Sequence, residues 1–322
     1  MSFRRGIGCL TLVGGALALS GCGSKQDSLR PESGPAHGIA TLWWIMLAGS
    51  VVGLGVIAAI LLGSWLRRDR IGGDRPAMAV IVGLGVATPI AVLAALFFYS
   101  DIFLIRGTSP PPANAATGAL TIRVTGHQFW WEVRYPGSRA VTANEIHIPV
   151  RTNVIVLVHS DDVIHSFWVP QLNRKIDMEP DQVNRVELYA DKIGRYRGQC
   201  AEFCGLQHAH MGFYVYADPP KVFEQWLRRQ AQPAAKDSPL FDEKCGNCHT
   251  IRGTSASGTT GPDLTHVGSR QSLGALTLHN SPDALRAWIR DPQQFKPGAQ
   301  MPALRLTDAQ LSQLAVYLEG LK

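Results

Sequence analysis

Charge is scarce in this chain. Asp, Glu, Lys and Arg make up 17% of its 322 residues and hydrophobic types 46%. Ordinary soluble domains carry about 25% charged residues, so the shortage fits a chain partly embedded in a membrane. Long Lys/Arg runs are also missing, and the arginines scatter through loops. That excludes nucleic-acid binding and leaves the net charge of +6 as solvated surface charge. Cysteine is sparse, with six residues and no widely spaced set, which excludes a disulfide framework. Internal repeats are absent. At this length, two or three small domains are expected rather than one.

The cysteines that are present fall in telling places. Residues 1–21 read as a secretory signal, with Arg4 and Arg5 before an apolar segment at 7–19 that contains Cys9. Leu19-Ser20-Gly21-Cys22 resembles the lipobox of bacterial lipoproteins. That resemblance implies cleavage before Cys22 and lipidation of its thiol, which would add membrane affinity. Residues 22–38 then form a polar segment on the outer face.

Two apolar runs follow, at 39–66 and 77–100, neither containing a charge. Each exceeds the ~20 residues needed to cross a bilayer as a helix. Arg67, Arg68, Arg70 and Arg75 lie between them. Positive loops stay in the cytoplasm, so both chain ends face the periplasm or its equivalent, as the export signal requires. Pro89 should kink the second span. Residues 107–118 read as a linker. From 119 the texture changes: 121–125, 154–159 and 183–189 are β-branched and partly alternating, the pattern of short strands. A β-sandwich over 119–230 closes with a short helix at 222–230, and 231–238 form a second linker. Residues 239–322 read as helical. Ser281-Pro282 opens one helix. Thr307 and Gln310 make a capping box for another, whose inner face is Leu311, Leu314, Ala315 and Leu318.

Cys245-Gly246-Asn247-Cys248-His249 carries the clearest chemistry. Thiols on either side of a two-residue gap, followed at once by histidine, form the haem-attachment pattern of c-type cytochromes. A redox dithiol or half a zinc site would also use C-x-x-C, but no second C-x-x-C follows. The other axial ligand must come from elsewhere. Met301 is the methionine available to this domain, and a thioether raises the haem potential; His266 and His279 compete with it. Gly261-Pro262-Asp263-Leu264 resembles the loop of class I cytochromes c in which the proline carbonyl, here Pro262, accepts from the ligand ring.

Cys200 and Cys204 alone could form a disulfide or half a zinc site. His208 and Met211 follow them, and His165 lies upstream. Two thiolates, two imidazoles and a thioether form a soft set that selects copper. One thiolate suffices for a mononuclear blue-copper centre, whereas two can bridge a metal pair.

The stretch from Cys200 to Met211 resembles the binuclear CuA loop of cytochrome c oxidase subunit II. His165-Ser166-Phe167-Trp168-Val169-Pro170, Lys175, Asp177 and Gly126-His127-Gln128 are similar to other segments of that family. With the C-terminal cytochrome c domain fused, the whole chain resembles subunit II of a caa3-type oxidase. The resemblance implies a two-helix transmembrane hairpin, an all-β cupredoxin-like sandwich and an all-α class I cytochrome c domain. It implies that Cys200 and Cys204 bridge two coppers, completed by His165, His208 and Met211. Glu202 would offer its carbonyl to copper and its carboxylate to Mg²⁺ at the boundary with subunit I. The spacing favours His208 over His210, and His127, His147 and His159 read as strand or surface residues. Phe129 stands where the family usually has the tryptophan that takes electrons from soluble cytochrome c, with Trp130 and Trp131 as substitutes. Val82 stands where the family often has a proton-channel glutamate, and Asp181 replaces a common glycine.

The function implied is a relay from cytochrome c or another haem donor, through haem c and CuA, to subunit I, where O2 is reduced to water. Subunit III is a further expected partner and the bacterial inner membrane the expected location. The alternative is a membrane-anchored electron-transfer module of a nitric oxide or nitrous oxide reductase.

Overall fold

The computed structural model describes residues 26–66, 74–106, 109, 120–234 and 236–322. The leader, Cys22, the Arg67, Arg68 and Arg70 connection, and the 107–118 linker apart from Ser109 lie outside the described residues.

Two helical rods lead the chain. Helix α1 (Gly34–Leu66) has 33 residues, roughly 50 Å at 1.5 Å per residue. The second rod begins as α2 (Asp74–Val82), widens through a π turn (Gly83–Ala87), continues as α3 (Thr88–Tyr99) and ends in another π segment (Ser100–Ile105). Both rods hold windows long and apolar enough to cross a membrane, and neither window is buried inside the protein. At Pro89 the second rod changes pitch. The Thr88 N–H donates to the Gly83 carbonyl five residues back, a register shift that absorbs the missing proline donor.

The segment before α1 is tied to the sandwich. The Glu32 amide donates to Gln171 O at 2.9 Å, and the Asp191 amide donates to Glu32 O at 2.9 Å. Ser33 Oγ donates to Leu172 O, and Lys192 pairs with Glu32 at 2.9 Å.

Ten strands then build two five-stranded sheets. They are β1 (Leu120–His127), β2 (Trp130–Arg134), β3 (Val141–Ala143), β4 (Glu145–Pro149), β5 (Val154–Ser160), β6 (His165–Trp168), β7 (Ile176–Met178), β8 (Asn184–Leu188), β9 (Gly194–Cys200) and β10 (Gly212–Asp218). One sheet runs β3-β2-β1-β5-β8 and the other β4-β10-β9-β6-β7. Both mix parallel and antiparallel pairs: β1 lies parallel to β5, and β10 parallel to β4. Ile122, Val124, Trp131, Val133, Ile146, Val156, Phe167, Phe213 and Val215 fill the space between them. Alternation along each strand puts these residues inward.

Helix α4 (Pro220–Gln230) packs Phe223 and Trp226 back onto the sandwich. A second core belongs to the C-terminal domain. It joins Phe241 of α5 (Pro239–Lys244), Leu285 and Ile289 of α6 (Pro282–Arg290), and Leu311, Leu314, Ala315 and Leu318 of α8 (Asp308–Glu319). The short α7 (Pro292–Phe295) lies between α6 and α8. Both caps foreseen from sequence form: Ser281 accepts from Ala284 N, and Thr307 with Gln310 makes a reciprocal capping box. The domain is helical apart from a hairpin of two-residue strands, Ser272–Leu273 and Leu278–His279.

Candidate metal centres

The end of β9 and the start of β6 bring the first cluster together. Phe167 pairs with Cys200 in the sheet, which places His165 and Cys200 on neighbouring strands. The chain then loops through Cys204, His208 and Met211 and re-enters the sheet as β10. The Cys200 amide donates to Met211 O at 3.0 Å and closes that loop. Cys200 Sγ lies 3.8 Å from Cys204 Sγ, 3.8 Å from His165 Nδ1 and 3.2 Å from the Glu202 carbonyl. Cys204 Sγ lies 3.7 Å from His208 Nδ1 and 3.7 Å from Met211 Sδ. All six predicted donors therefore face one small volume. His165, Cys200, Cys204 and Met211 are buried and His208 is half-buried, while His210 is exposed.

The two thiols behave as one unit. The hydrogen bond to Cys204 holds the Cys200 thiol far below its usual value, at about 3, against the opposing effect of burial. The Cys204 thiol is pushed up by the same bond and by burial. The two sulfurs are thus joined by one hydrogen bond, and a metal binds such groups as thiolates.

Asp162 organises the site from behind, and the sequence reading missed it. Its carboxylate accepts from the Gln128 amide at 2.6 Å and lies 2.8 Å from His165 Nε2. A proton on Nε2 leaves the Nδ1 lone pair turned toward Cys200, as a ligand requires. Burial draws His165 down, but its bonds to Asp162 and Cys200 carry it net upward. The Asp-x-x-His spacing is the signal that could have found this residue. Gly126 lets β1 pass close to the ring: a Cβ there would sit 2.8 Å from His165 Cδ2. The loop is held from outside as well. Gln128 Nε2 donates to Cys204 O at 2.6 Å, and Trp131 Nε1 donates to Met211 O at 3.3 Å. Trp131 is thus a core residue, Trp130 is half-buried, and Phe129 is only 5% exposed.

The second cluster lines a cavity in the helical domain. Cys245, Cys248, His249, Pro262 and Met301 all contribute to its wall. His249 Nδ1 donates to Pro262 O at 2.9 Å, which leaves Nε2 as the free ring nitrogen. Burial lowers the pKa of this histidine, so the neutral imidazole that can ligate a metal is favoured. The cavity is walled by Phe241, Leu285, Ile289, Leu314 and Leu318. An apolar slot with two thiols, a free imidazole nitrogen and a thioether on its wall fits a covalently held haem. His266 is turned elsewhere, with Nε2 3.0 Å from Gln232 O in the linker, and His279 is exposed.

Sandwich residues complete the same cavity. Gln128, Phe129, Trp130 and Asn144 lie on its wall beside Lys296 and Arg270. The two clusters therefore stand on either side of residues 128–130.

Comparison with known proteins agrees with both halves. Residues 138–217 match the family described as cytochrome C oxidase subunit II, periplasmic domain, and residues 234–322 match cytochrome c. These two matches imply copper and haem c. A cytochrome c oxidase subunit 2 from Alkalihalophilus pseudofirmus is 35% identical over 72% of this chain and 69% of its own length. One from Bacillus subtilis is 28% identical over 95% of both chains. Among solved structures, the periplasmic domain of subunit II of cytochrome oxidase from Bradyrhizobium japonicum is 33% identical, covering 34% of this chain and 91% of that one, with a TM-score of 0.33.

Proposed function

The chain belongs to the cytochrome c oxidase subunit 2 family, and from that premise we propose that it is a two-site electron relay. In this reading electrons enter the cytochrome c domain, cross to the cupredoxin domain, and leave to the haem–copper catalytic subunit where O2 is reduced. Haem c and a binuclear copper centre, when bound, supply the one-electron chemistry. Cys245 and Cys248 would hold the haem covalently, with His249 and Met301 as axial ligands. Cys200 and Cys204 would bridge two coppers, with His165, His208, Met211 and the Glu202 carbonyl completing the shells.

One observation carries the proposal: residues 128–130 form a wall common to both sites. Gln128 reaches Cys204 O through one hydrogen bond and also faces the haem cavity. A soluble donor has no access to Phe129, which is covered. Electron uptake through the fused domain resolves the tryptophan missing at that position.

The outer end of the copper loop fits a partner. Phe203 is 76% exposed and Leu206 81% exposed, and Val163 and Ile164 beside His165 are also exposed. Bare apolar side chains at a buried ligand set mark a protein-binding surface. We assign that surface to the catalytic subunit, with the Glu202 carboxylate as the Mg²⁺ ligand at the boundary. Subunit III contact, a lipidated Cys22 and placement in the bacterial inner membrane complete the reading.

The test is purification of the intact complex with metal and haem analysis. Two coppers and one covalent haem are expected in this chain. Cys200→Ser should abolish copper loading and leave the haem spectrum unchanged. Retention of two coppers in that variant rejects the ligand assignment.

A further inference from the structure

Lys296 lies on the wall of the haem cavity but is a ligand in neither site. It lies just after α7 and is only 2% exposed, although lysines are almost never fully buried without a partner. Its Nζ donates to the carbonyl of Phe129 at 2.6 Å and to the carbonyl of Gly274 at 2.9 Å. The first acceptor belongs to the sandwich and the second to the cytochrome c domain. Burial pushes its pKa down to about 7. A packed seam between two domains needs no amine, so its presence here calls for a geometric reason.

The neighbouring contacts supply that reason. Gln207 Nε2 donates to Pro297 O at 2.9 Å. Gly298 adopts a positive φ of 82°, and a Cβ there would sit 2.9 Å from Leu206. The Gly212 amide, next to Met211, donates to Ala275 O at 3.3 Å. Ala275 and Leu276 hold left-handed backbone conformations, with φ of 59° and 68°, which few side chains adopt without cause. Segments 274–276 and 296–298 thus press onto the copper loop. The second of these runs directly on to Met301 on the haem side.

We propose that Lys296 is a positioning residue for electron transfer between the two sites: by pinning the Phe129 carbonyl it seats the cytochrome c domain in the one pose that sets the haem cavity against the Gln128–Cys204 contact. This proposal rests on the relay reading given above. In each transfer the cytochrome c site loses one electron and the copper site gains it, with no bond made or broken. The cytochrome c-type donor of the family's reaction restores the first site.

The experiment uses the full chain in its complex, loaded with haem and copper, and the variant Lys296→Met. Copper content and the covalent attachment of haem through Cys245 and Cys248 should match the parent. After pulsed reduction of the haem, equilibration with copper should slow about tenfold, the size expected when a buried hydrogen bond across a docked seam is lost and its carbonyl acceptor left unpaired. Hydrogen exchange at the Gly212 amide should rise as its contact with Ala275 opens, a readout independent of turnover. Lys296→Gln, which keeps a neutral donor on a shorter stem, should fall between. A fully loaded Lys296→Met protein with parental transfer rate and parental exchange overturns the proposal. So does failure of both variants to accumulate, which would make Lys296 a folding residue. Absence of copper from the parent chain would instead refute the relay reading itself.

Discussion

Gly261→Ala is the sharpest probe of the haem site. The glycine lies directly against the ring of the proposed ligand His249: an added Cβ would fall 2.4 Å from His249 Cε1, 2.7 Å from Nδ1 and 3.0 Å from Nε2. Carbon atoms in contact sit about 3.5–4.0 Å apart, so the imidazole must move by roughly 1 Å. It cannot do so and keep its 2.9 Å bond to Pro262 O. Overpacking of this kind costs about 1–3 kcal/mol, and an unsatisfied buried partner adds about 1–3 kcal/mol. The sum of about 2–6 kcal/mol, at about 4–8 °C per kcal/mol for a domain of this size, lowers the melting midpoint by at least ~8 °C. The assay is thermal unfolding of the full chain followed at the haem band, with axial ligation monitored in the same sample. Weakened histidine ligation and the lowered midpoint are expected together. An unchanged midpoint with unchanged ligation would refute the contact argument.

Asp162→Asn keeps the shape of the copper-side support and removes its charge, so copper should be lost to a chelator about 10–100-fold more readily; parental retention in a competition titration would argue against the support. Glu145 is buried at the seam, and burial raises its carboxyl above the ordinary value, against the pull of His147, Arg270 and the Gln271 amide. A raised carboxyl means that the native state keeps its proton longer than the unfolded chain. Stability is therefore full below about pH 4.3 and declines as pH climbs through the folded value. Glu145→Gln should flatten that decline in melts recorded across pH, and an unaltered slope would place its origin elsewhere.

The sequence reveals chemistry more readily than it reveals packing. Cys245, Cys248 and His249 are legible because the haem-attachment pattern has a fixed spacing, and the proposed copper loop because one short segment carries five of its six proposed donors. Strands such as β1, β5 and β8 show in their β-branched runs. The three-residue strands β3 and β7 are too short to establish a period. β6 is visible only as the motif around His165. Asp162 shows only in the Asp-x-x-His spacing, a commonplace pattern until the fold aims the carboxylate at His165. Lys296 is hidden more deeply: its environment comes from a domain more than 160 positions away in the chain, and a lysine in a sequence looks like surface. The burial of Trp131 likewise follows from β2 lying in the sheet, where its amide donates to Asn144 Oδ1 and its indole N–H to Met211 O.

The strap at Glu32 and Ser33 has a mechanical consequence. It fastens the base of the first rod to the turn at Gln171 and Leu172, so a change in the rod's tilt is passed to the sandwich through those bonds. Tilting that rod to suit a thinner bilayer would swing the whole outer assembly with it. Lipid thickness then becomes a variable that sets how squarely the ligand loop meets whatever lies beneath it.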